Sequence, residues 1–320
     1  MAVRKLDFLY CGSANDGFFA QIAFARLCLD ALGGDFRDAR VVAALAEYET
    51  PEVPARWQPY FERIEVIWAN PEGLPNDGWL LQHYARYPAI RDDADIAVIS
   101  DADVCVFRPF DGLVDELIAA PAIAGVIAHY HFPLDGQRGD PGADWSRIAR
   151  HALGRDVARP HRYLYGRDPY EPRIHDAAAR PPAPFYLNYG VVMGTPRLLK
   201  MLGAGEMALK PVVEEITGPY WAPQVALALT CDDLSLPVRA LPPRYNWANR
   251  PETIELYPGE AAQISLFHNM DKKDINGSRI FTTEDHFRAF IEAEYQGSNE
   301  IFRRHVLKVT GGRYPFPARS

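Results

Sequence analysis

IAVISDADVCVF, residues 96–107, is the stretch on which the reading of this chain turns. Ile96 to Ser100 make a short apolar, β-branched run of the kind that forms a buried strand. Two carboxylates, Asp101 and Asp103, follow at its end. In extended backbone, residues two apart point to the same side, so both carboxylates can face one ion. Hard divalent cations such as Mn²⁺ or Mg²⁺ take oxygen ligands of this type and complete their shell with phosphate oxygens. The alternative is a pair of solvated turn carboxylates, since Asp-x-Asp arises often by chance. The apolar strand ahead is what fixes the pair at the edge of a sheet.

Further runs extend the pattern outward. LDFLYCG (6–12), ARVVAAL (39–45) and IEVIW (64–68) read as strands. Between the first two, Asn15 or Asp16 can cap a helix from about Phe18 to Leu32, and Gly33 with Gly34 ends it. GWLLQHYARYP (78–88) reads as a helix leading into the carboxylate strand. AIAGVIAHY (122–130) and FYLNYGVVMG (185–194) return to strand character, and YWAPQVALALTCDD (220–233) to helix. VRALPPRYNW (238–247) and ISLFH (264–268) are strand-and-loop segments, and TTEDHFRAFIEAEY (282–295) is helical before a basic tail. Strands alternating with helices imply an α/β fold, with a mixed, mostly parallel sheet and helices on both faces. Such sheets bind ligands at the C-terminal ends of their strands. Residues 131–184, rich in Pro, Gly and Arg, are expected to be an irregular insertion.

The 320 residues carry 34 basic and 42 acidic side chains, a net charge of −8, which argues against nucleic acid as a partner. Cys11, Cys28, Cys105 and Cys231 are far apart in sequence, without a paired Cys-x-x-Cys motif. A cytoplasmic chain with reduced, buried thiols follows. The apolar run at the N-terminus is too short for a signal peptide, and no stretch has the length of a bilayer span.

Taken in order, these segments resemble the retaining GT-A glycosyltransferases of the glycogenin and galactosyltransferase type, the family 8 kind, over most of the chain. SANDGFFAQIAFARLCLDAL (13–32) is similar to their first strand-to-helix turn, and YPAIRDDADIAVISDADVCVFRPFDGL (87–113) to their Asp-x-Asp segment. FYLNYGVVMG resembles the strand that lines the donor sugar, and LPPRYNW and ISLFH the two closing segments. The resemblance implies one catalytic domain. A nucleotide-binding half would run to about residue 110, with an acceptor-side half from 111 to 320.

The site residues follow from the same resemblance. Asn15 and Asp16 would lie near the nucleoside, and Asp101, Asp103 and His268 would hold Mn²⁺ or Mg²⁺ at the diphosphate of a UDP-sugar. Arg86, Gly190 and Lys272 would line the donor, and Asn188 and Gln224 would sit by the transferred sugar as catalytic groups. On its own terms, His268 reads first as a core or surface histidine with one hydrogen bond, and Arg86 equally as an exposed helix charge. The chain departs from the family in two places. Pro223-Gln224 stands where the family has Asp-Gln, and HNMDKK (268–273) replaces a histidine–glycine turn with a Lys-Pro-Trp.

The acceptor would be a glycan, lipid-linked sugar or other hydroxyl compound, reached with retention. An inverting reaction would draw its base from Glu214, Glu215, Asp232 or Asp233. Eight arginines between Arg147 and Arg180, with Tyr163, Tyr165 and Tyr170, read either as a grip on an anionic acceptor or as a solvated surface. His129 and His131 could face one side of a strand near the acceptor. The basic tail, Arg303, Arg304, Lys308, Arg313 and Arg319, would allow at most peripheral contact with the inner membrane surface. Two rival readings use the same carboxylates: a haloacid dehalogenase-type phosphatase and a nucleotidyltransferase of related fold.

Overall fold

The computed structural model describes residues 3–69, 81–128, 131–137, 139–162, 182–273 and 275–317. In chain order the first half forms β1 (Leu6–Ser13), α1 (Asp16–Leu32), α2 (Gly34–Arg37), β2 (Arg40–Ala46), α3 (Gln58–Phe61), β3 (Ile64–Trp68), α4 (Leu81–Ala85), β4 (Ile96–Asp101), β5 (Val104–Val106), α5 (Asp111–Ala119) and β6 (Ile123–Gly125). Then come α6 (Pro141–Leu153), β7 (His161–Arg162), β8 (Pro182–Ala183), β9 (Val191–Gly194), α7 (Pro196–Thr217), α8 (Ala222–Asp233) and β10 (Val238–Ala240). The chain closes with β11 (Trp247–Ala248), α9 (Pro251–Leu256), β12 (Leu266–His268), α10 (Gly277–Ile280), α11 (Glu284–Glu292) and α12 (Gly297–Thr310).

Seven strands make the main sheet in the order β10-β6-β9-β4-β1-β2-β3. All run one way except β9, which is antiparallel to both β4 and β6. The chain builds from β1 outward through β2 to β3, then returns to the other side of β1 with β4. The switch point, and with it the crevice open to ligands, lies between the C-terminal ends of β1 and β4.

Residue alternation buries the sheet on both faces. Phe8, Tyr10, Val41, Ala43 and Val98 face a core shared with α1, α11 and α12 through Phe19, Phe24, Phe287, Phe290 and Phe302. Leu9, Val42, Ala97 and Ile99 face the opposite core, closed by Leu199 and Leu202 of α7 and Leu227 of α8. The expected cap is in place, since the Asn15 side chain accepts from the backbone N–H of Gly17 and Phe18. Gly33, at a positive φ of 74°, ends α1.

Several expectations change. The 131–184 segment is not irregular throughout, because it contains the thirteen-residue α6. Asp140 caps α6 and Gly154 ends it in the left-handed region. Its buried face, Trp145, Ile148 and Ala149, packs with Phe132, Tyr186, Val213 and Leu229 into a third core. His131 belongs to that core, wholly buried and 2.8 Å from Asp144, so it is not a surface group near an acceptor; His129 and Tyr130 lie outside the described residues. The strand in FYLNYGVVMG starts only at Val191.

The basic tail is largely α12, and Arg303 and Arg304 are both tied to Glu300. Among the described residues no helix is long and apolar enough to cross a membrane.

Replacing Trp145 with alanine should cost about 3–5 kcal/mol of stability in urea denaturation, as for other buried tryptophans. A loss under about 1 kcal/mol would mean that α6 is not seated in the core.

Candidate metal centre

Asp101 is the last residue of β4, at the switch point. The backbone then turns at Ala102 and Asp103 before β5 begins, so strand alternation is not what aligns the two carboxylates. A second, three-stranded sheet does this work. In it β12 pairs antiparallel with β5, setting His268 opposite Val104. Asn269 N–H also donates to the Asp103 carbonyl at 3.0 Å. The result is a triad. His268 Nε2 lies 3.2 Å from Asp103 Oδ1 and 3.9 Å from Asp101 Oδ2. One ligand atom from each of the three residues falls within 4.8 Å of the others.

The imidazole is fixed by a relay of amides. His268 Nδ1 lies 2.9 Å from Asn246 Oδ1, and Asn246 Nδ2 donates to Asn188 Oδ1 at 2.8 Å. Gly190 N–H donates to the same Asn188 oxygen at 3.0 Å. An amide oxygen only accepts, so Nδ1 carries the proton and Nε2 turns its lone pair toward the carboxylates. Gly190 lies directly against the ring. A Cβ there would stand 2.2 Å from His268 Cε1. Its carbonyl accepts from Asp101 N–H at 3.0 Å.

The electrostatics are those of a site built for positive charge. Burial, and next the neighbouring Asp103, push the Asp101 carboxyl above the usual range. Burial by itself would lower the His268 imidazole, but Asp103 and Asp101 outweigh it and raise it. Two carboxylates and one imidazole lone pair converging in a half-buried corner therefore fit a divalent cation of the Mn²⁺ or Mg²⁺ kind, with protons as its competitors.

A second layer stands behind Asp101. Cys11 Sγ is 3.8 Å from Asp101 Oδ1 and 3.7 Å from His83 Nδ1, so these three residues also converge. Burial pushes the Cys11 thiol up to about 12 and, with Arg86, holds His83 well below its ordinary value. A protonated thiol beside a guanidinium is a poor second cation site.

Arg86 is not the exposed helix charge of the sequence reading. It follows α4 and is fully buried, donating to Ser100 O at 3.0 Å and meeting His83 Nδ1 at 2.9 Å. Through Ser100 it braces the end of β4.

The remaining candidates are placed as follows. Gln224, near the start of α8, accepts from Tyr189 N–H at 3.0 Å and so holds the Asn188–Gly190 segment. Asn15 and Asp16 stand at the β1–α1 turn, on the same sheet edge as Asp101. The Asp16 carboxylate is gripped by Trp57 Nε1 at 2.6 Å and Arg56 at 3.1 Å. Lys272 is exposed, four residues beyond His268.

Asp232 and Asp233 are both paired with Arg155, Glu214 with Lys210 and Glu215 with His151. Of the insertion's arginines, Arg147, Arg150 and Arg159 are likewise engaged within the chain. Arg147 pairs with Asp135 and Arg150 with Asp156, while Arg159 donates to the Cys231 and Leu236 carbonyls. Tyr163, Tyr165 and Tyr170 lie outside the described residues.

Sequence reasoning missed Asn246, Cys11, His83 and Arg250. Arg250 follows Asn249, whose N–H donates to the His268 carbonyl at 3.2 Å, and its charge is felt by the imidazole. Asn246 was legible only as a polar residue ahead of the short apolar strand β11. A lone amide at a strand start carries no signal of its own.

No protein-family model and no curated protein matches the chain. Its likeness is to solved structures. It aligns with the bifunctional glycosyltransferase WbbM at 10% identity and a TM-score of 0.52, covering 85% of this chain and 47% of that one. It aligns with the apo-form glycosyltransferase GlyE of Streptococcus pneumoniae at 10% identity and a TM-score of 0.50, covering 99% and 66%. An active-site mutant of LgtC aligns at 14% identity and a TM-score of 0.48 over 97% of each chain. This chain thus spans about half of WbbM and two thirds of GlyE. At these identities the likeness is one of fold, and the architecture is the GT-A, Rossmann-like one.

Asn246→Ala, which frees the imidazole, and Gly190→Ala, which displaces it, should each weaken Mn²⁺ binding about 10–100-fold in calorimetric titration. Unchanged affinity in both would mean that His268 is not a ligand.

Proposed function

We propose that the chain is a metal-dependent glycosyltransferase that takes a sugar from a nucleotide diphosphate sugar, a UDP-sugar in this reading. The acceptor would be a hydroxyl on a glycan or lipid-linked saccharide, and transfer would proceed with retention. The observation that carries the reading is the Asp101–Asp103–His268 triad at the switch point of a GT-A sheet. A Mn²⁺ or Mg²⁺ ion held there would supply Lewis acidity toward the departing diphosphate.

The chain's own residues would do the rest. Asn15 and the clamped Asp16 would meet the nucleoside at the β1–α1 turn. Arg250, beside His268, would offer fixed positive charge where the leaving group develops its negative charge, with Lys272 as a mobile second cation. Asn188 and Gln224 would bound the transferred sugar, Gln224 with the amide nitrogen left over from its bond to Tyr189.

The ion pairs at Glu214, Glu215, Asp232 and Asp233 favour retention, since each of these candidate bases is already engaged. Arg147, Arg150, Arg155 and Arg159 are engaged within the chain, so an anionic acceptor would have to be met by other arginines of the insertion. A haloacid dehalogenase-type phosphatase is disfavoured because its Asp-x-Asp follows the first strand of its sheet, whereas here β1 ends in Ser13 and the pair follows β4.

Calorimetry with UDP and GDP, each with and without Mn²⁺, tests the reading. UDP should bind in a Mn²⁺-dependent way, and Asp103→Ala should abolish that dependence while the circular dichroism spectrum is unchanged. Unaltered affinity in that variant would sink the metal assignment. Gln224→Ala should lower turnover about tenfold or more, with donor affinity nearly kept, because a group serving the transition state shows itself in kcat. A fall in nucleotide affinity alone would move Gln224 to the nucleotide pocket.

A further inference from the structure

Glu206, midway along α7, is wholly buried. Each of its oxygens accepts from a different tyrosine: Oε2 from Tyr87 OH and Oε1 from Tyr189 OH, both at 2.6 Å. The ionised carboxylate accepts through both oxygens without competition; protonation turns one into a hydroxyl that must itself donate and accepts more weakly.

Tyr189 is the middle residue of Asn188–Gly190. Its N–H is held by Gln224 at 3.0 Å, and its ring lies 5.4 Å from the His83 ring and 5.7 Å from the Arg86 guanidinium. On one side of it, Gly190 bonds the Asp101 backbone and makes room for His268; on the other, Asn188 ends the amide relay from His268. The tripeptide therefore touches two members of the triad, and Tyr189 is the handle by which the interior holds it.

We propose that Glu206 is a positioning residue for the site: by accepting from Tyr87 and Tyr189 together, its carboxylate sets the seat of Asn188–Gly190 and, through it, the geometry of His268 and Asp101. The role in turnover rests on the glycosyltransferase reading; the role in holding the triad does not.

The surroundings make the device sensitive to pH. Burial pushes the Glu206 carboxyl up to about 7, with the hydroxyls of Tyr189 and Tyr87 and the charge of Arg86 pulling it back. From α8 it faces Cys231, a thiol that burial keeps protonated. On α7, Lys210 is tied to Glu214.

As pH falls through about 7 the carboxyl gains a proton, one tyrosine must change partner, and the tripeptide loosens. Stability runs the other way. The folded-state value lies above the ordinary carboxyl value of 4.5, so the group's contribution is complete below that value and is lost as pH rises through about 7. Acid thus favours the fold at Glu206 while it disfavours the seating of the site.

The test compares wild type, Glu206→Gln and Tyr189→Phe. Glutamine cannot accept from both tyrosines, and phenylalanine keeps the ring without the hydroxyl. Both variants should bind Mn²⁺ about tenfold more weakly at pH 8. With a UDP-sugar, kcat should fall while donor KM stays within about twofold. At Mn²⁺ concentrations that saturate the site at every pH, the acid limb of the wild-type kcat profile, centred near pH 7, should be absent in Glu206→Gln. Between pH 5 and 7 the wild type should lose thermal stability as pH rises, and Glu206→Gln should not.

If Glu206→Gln keeps the wild-type Mn²⁺ affinity and the acid limb, Glu206 is only a core group and the proposal is overturned. If the wild type binds no UDP with Mn²⁺ present, the glycosyltransferase reading fails separately, and the Mn²⁺ affinities still decide the role of Glu206.

Discussion

Two half-buried carboxylates set side by side repel, and the centre of this structure is arranged around that repulsion. Asp101 and Asp103 flank a single residue at the end of a buried strand, where water can relieve only part of their charge. The fold answers by bringing a third group from far along the chain. The antiparallel pairing of β12 with β5 places His268 beside both. Its imidazole is raised by the carboxylates although burial would lower it, so a proton can share the corner until a cation takes it. Remove the β5–β12 register and the pair loses the imidazole's charge and its third ligand, with only Arg86 left to act on Asp101.

The parts of this arrangement that depend on local pattern were legible in the sequence. Val41–Ala46 of β2 and Ile96–Ile99 of β4 are continuous apolar runs, because a sheet covered on both faces needs apolar side chains in both directions. The cap at Asn15 and the stop at Gly33 are local chemistry and could be read directly. The turn at Ala102–Asp103 was not legible. Val104–Val106 continues the apolar character of β4, so one run in the sequence became two strands in different sheets. α6 went unseen because its apolar positions are sparse within an arginine-rich stretch, even though Asp140-Pro141 and Gly154 mark its ends.

Charge was the least transferable signal. A surplus of arginine between 147 and 180 suggested a surface that reaches outward. Arg147, Arg150, Arg155 and Arg159 instead reach inward or sideways, to Asp232 and Asp233 at the end of α8, to Asp135 and Asp156, and to the Cys231 and Leu236 carbonyls. A planar five-donor group suits the unpaired carbonyls at a helix end as well as it suits an anion. Arg86 shows the same ambiguity at a single position: burial there is possible because its donors are met by Ser100 O and His83. Counting charges in a window cannot separate these uses, because the partners come from other parts of the chain.

The one reversed strand explains why so much of the site converges. Parallel strands all deliver their C-terminal ends to one edge of the sheet, and β1 and β4 bring Ser13 and Asp101 there. Because β9 runs against them, its beginning reaches that same edge, and the residues just before it, Asn188–Gly190, arrive beside Asp101 rather than at the far side. α7 then starts from the opposite edge and, with twenty-two residues, has a length of about 33 Å in which to climb back. It carries Glu206 beneath the tripeptide on the way and hands over to α8, whose Gln224 meets Tyr189 from the other side. A fully parallel sheet would have sent the strand's start, and Tyr189 with it, to the wrong end. The antiparallel insertion of β9 thus lets one short, strand-free tripeptide be held from the core by Glu206 and from α8 by Gln224 while it supports two members of the triad.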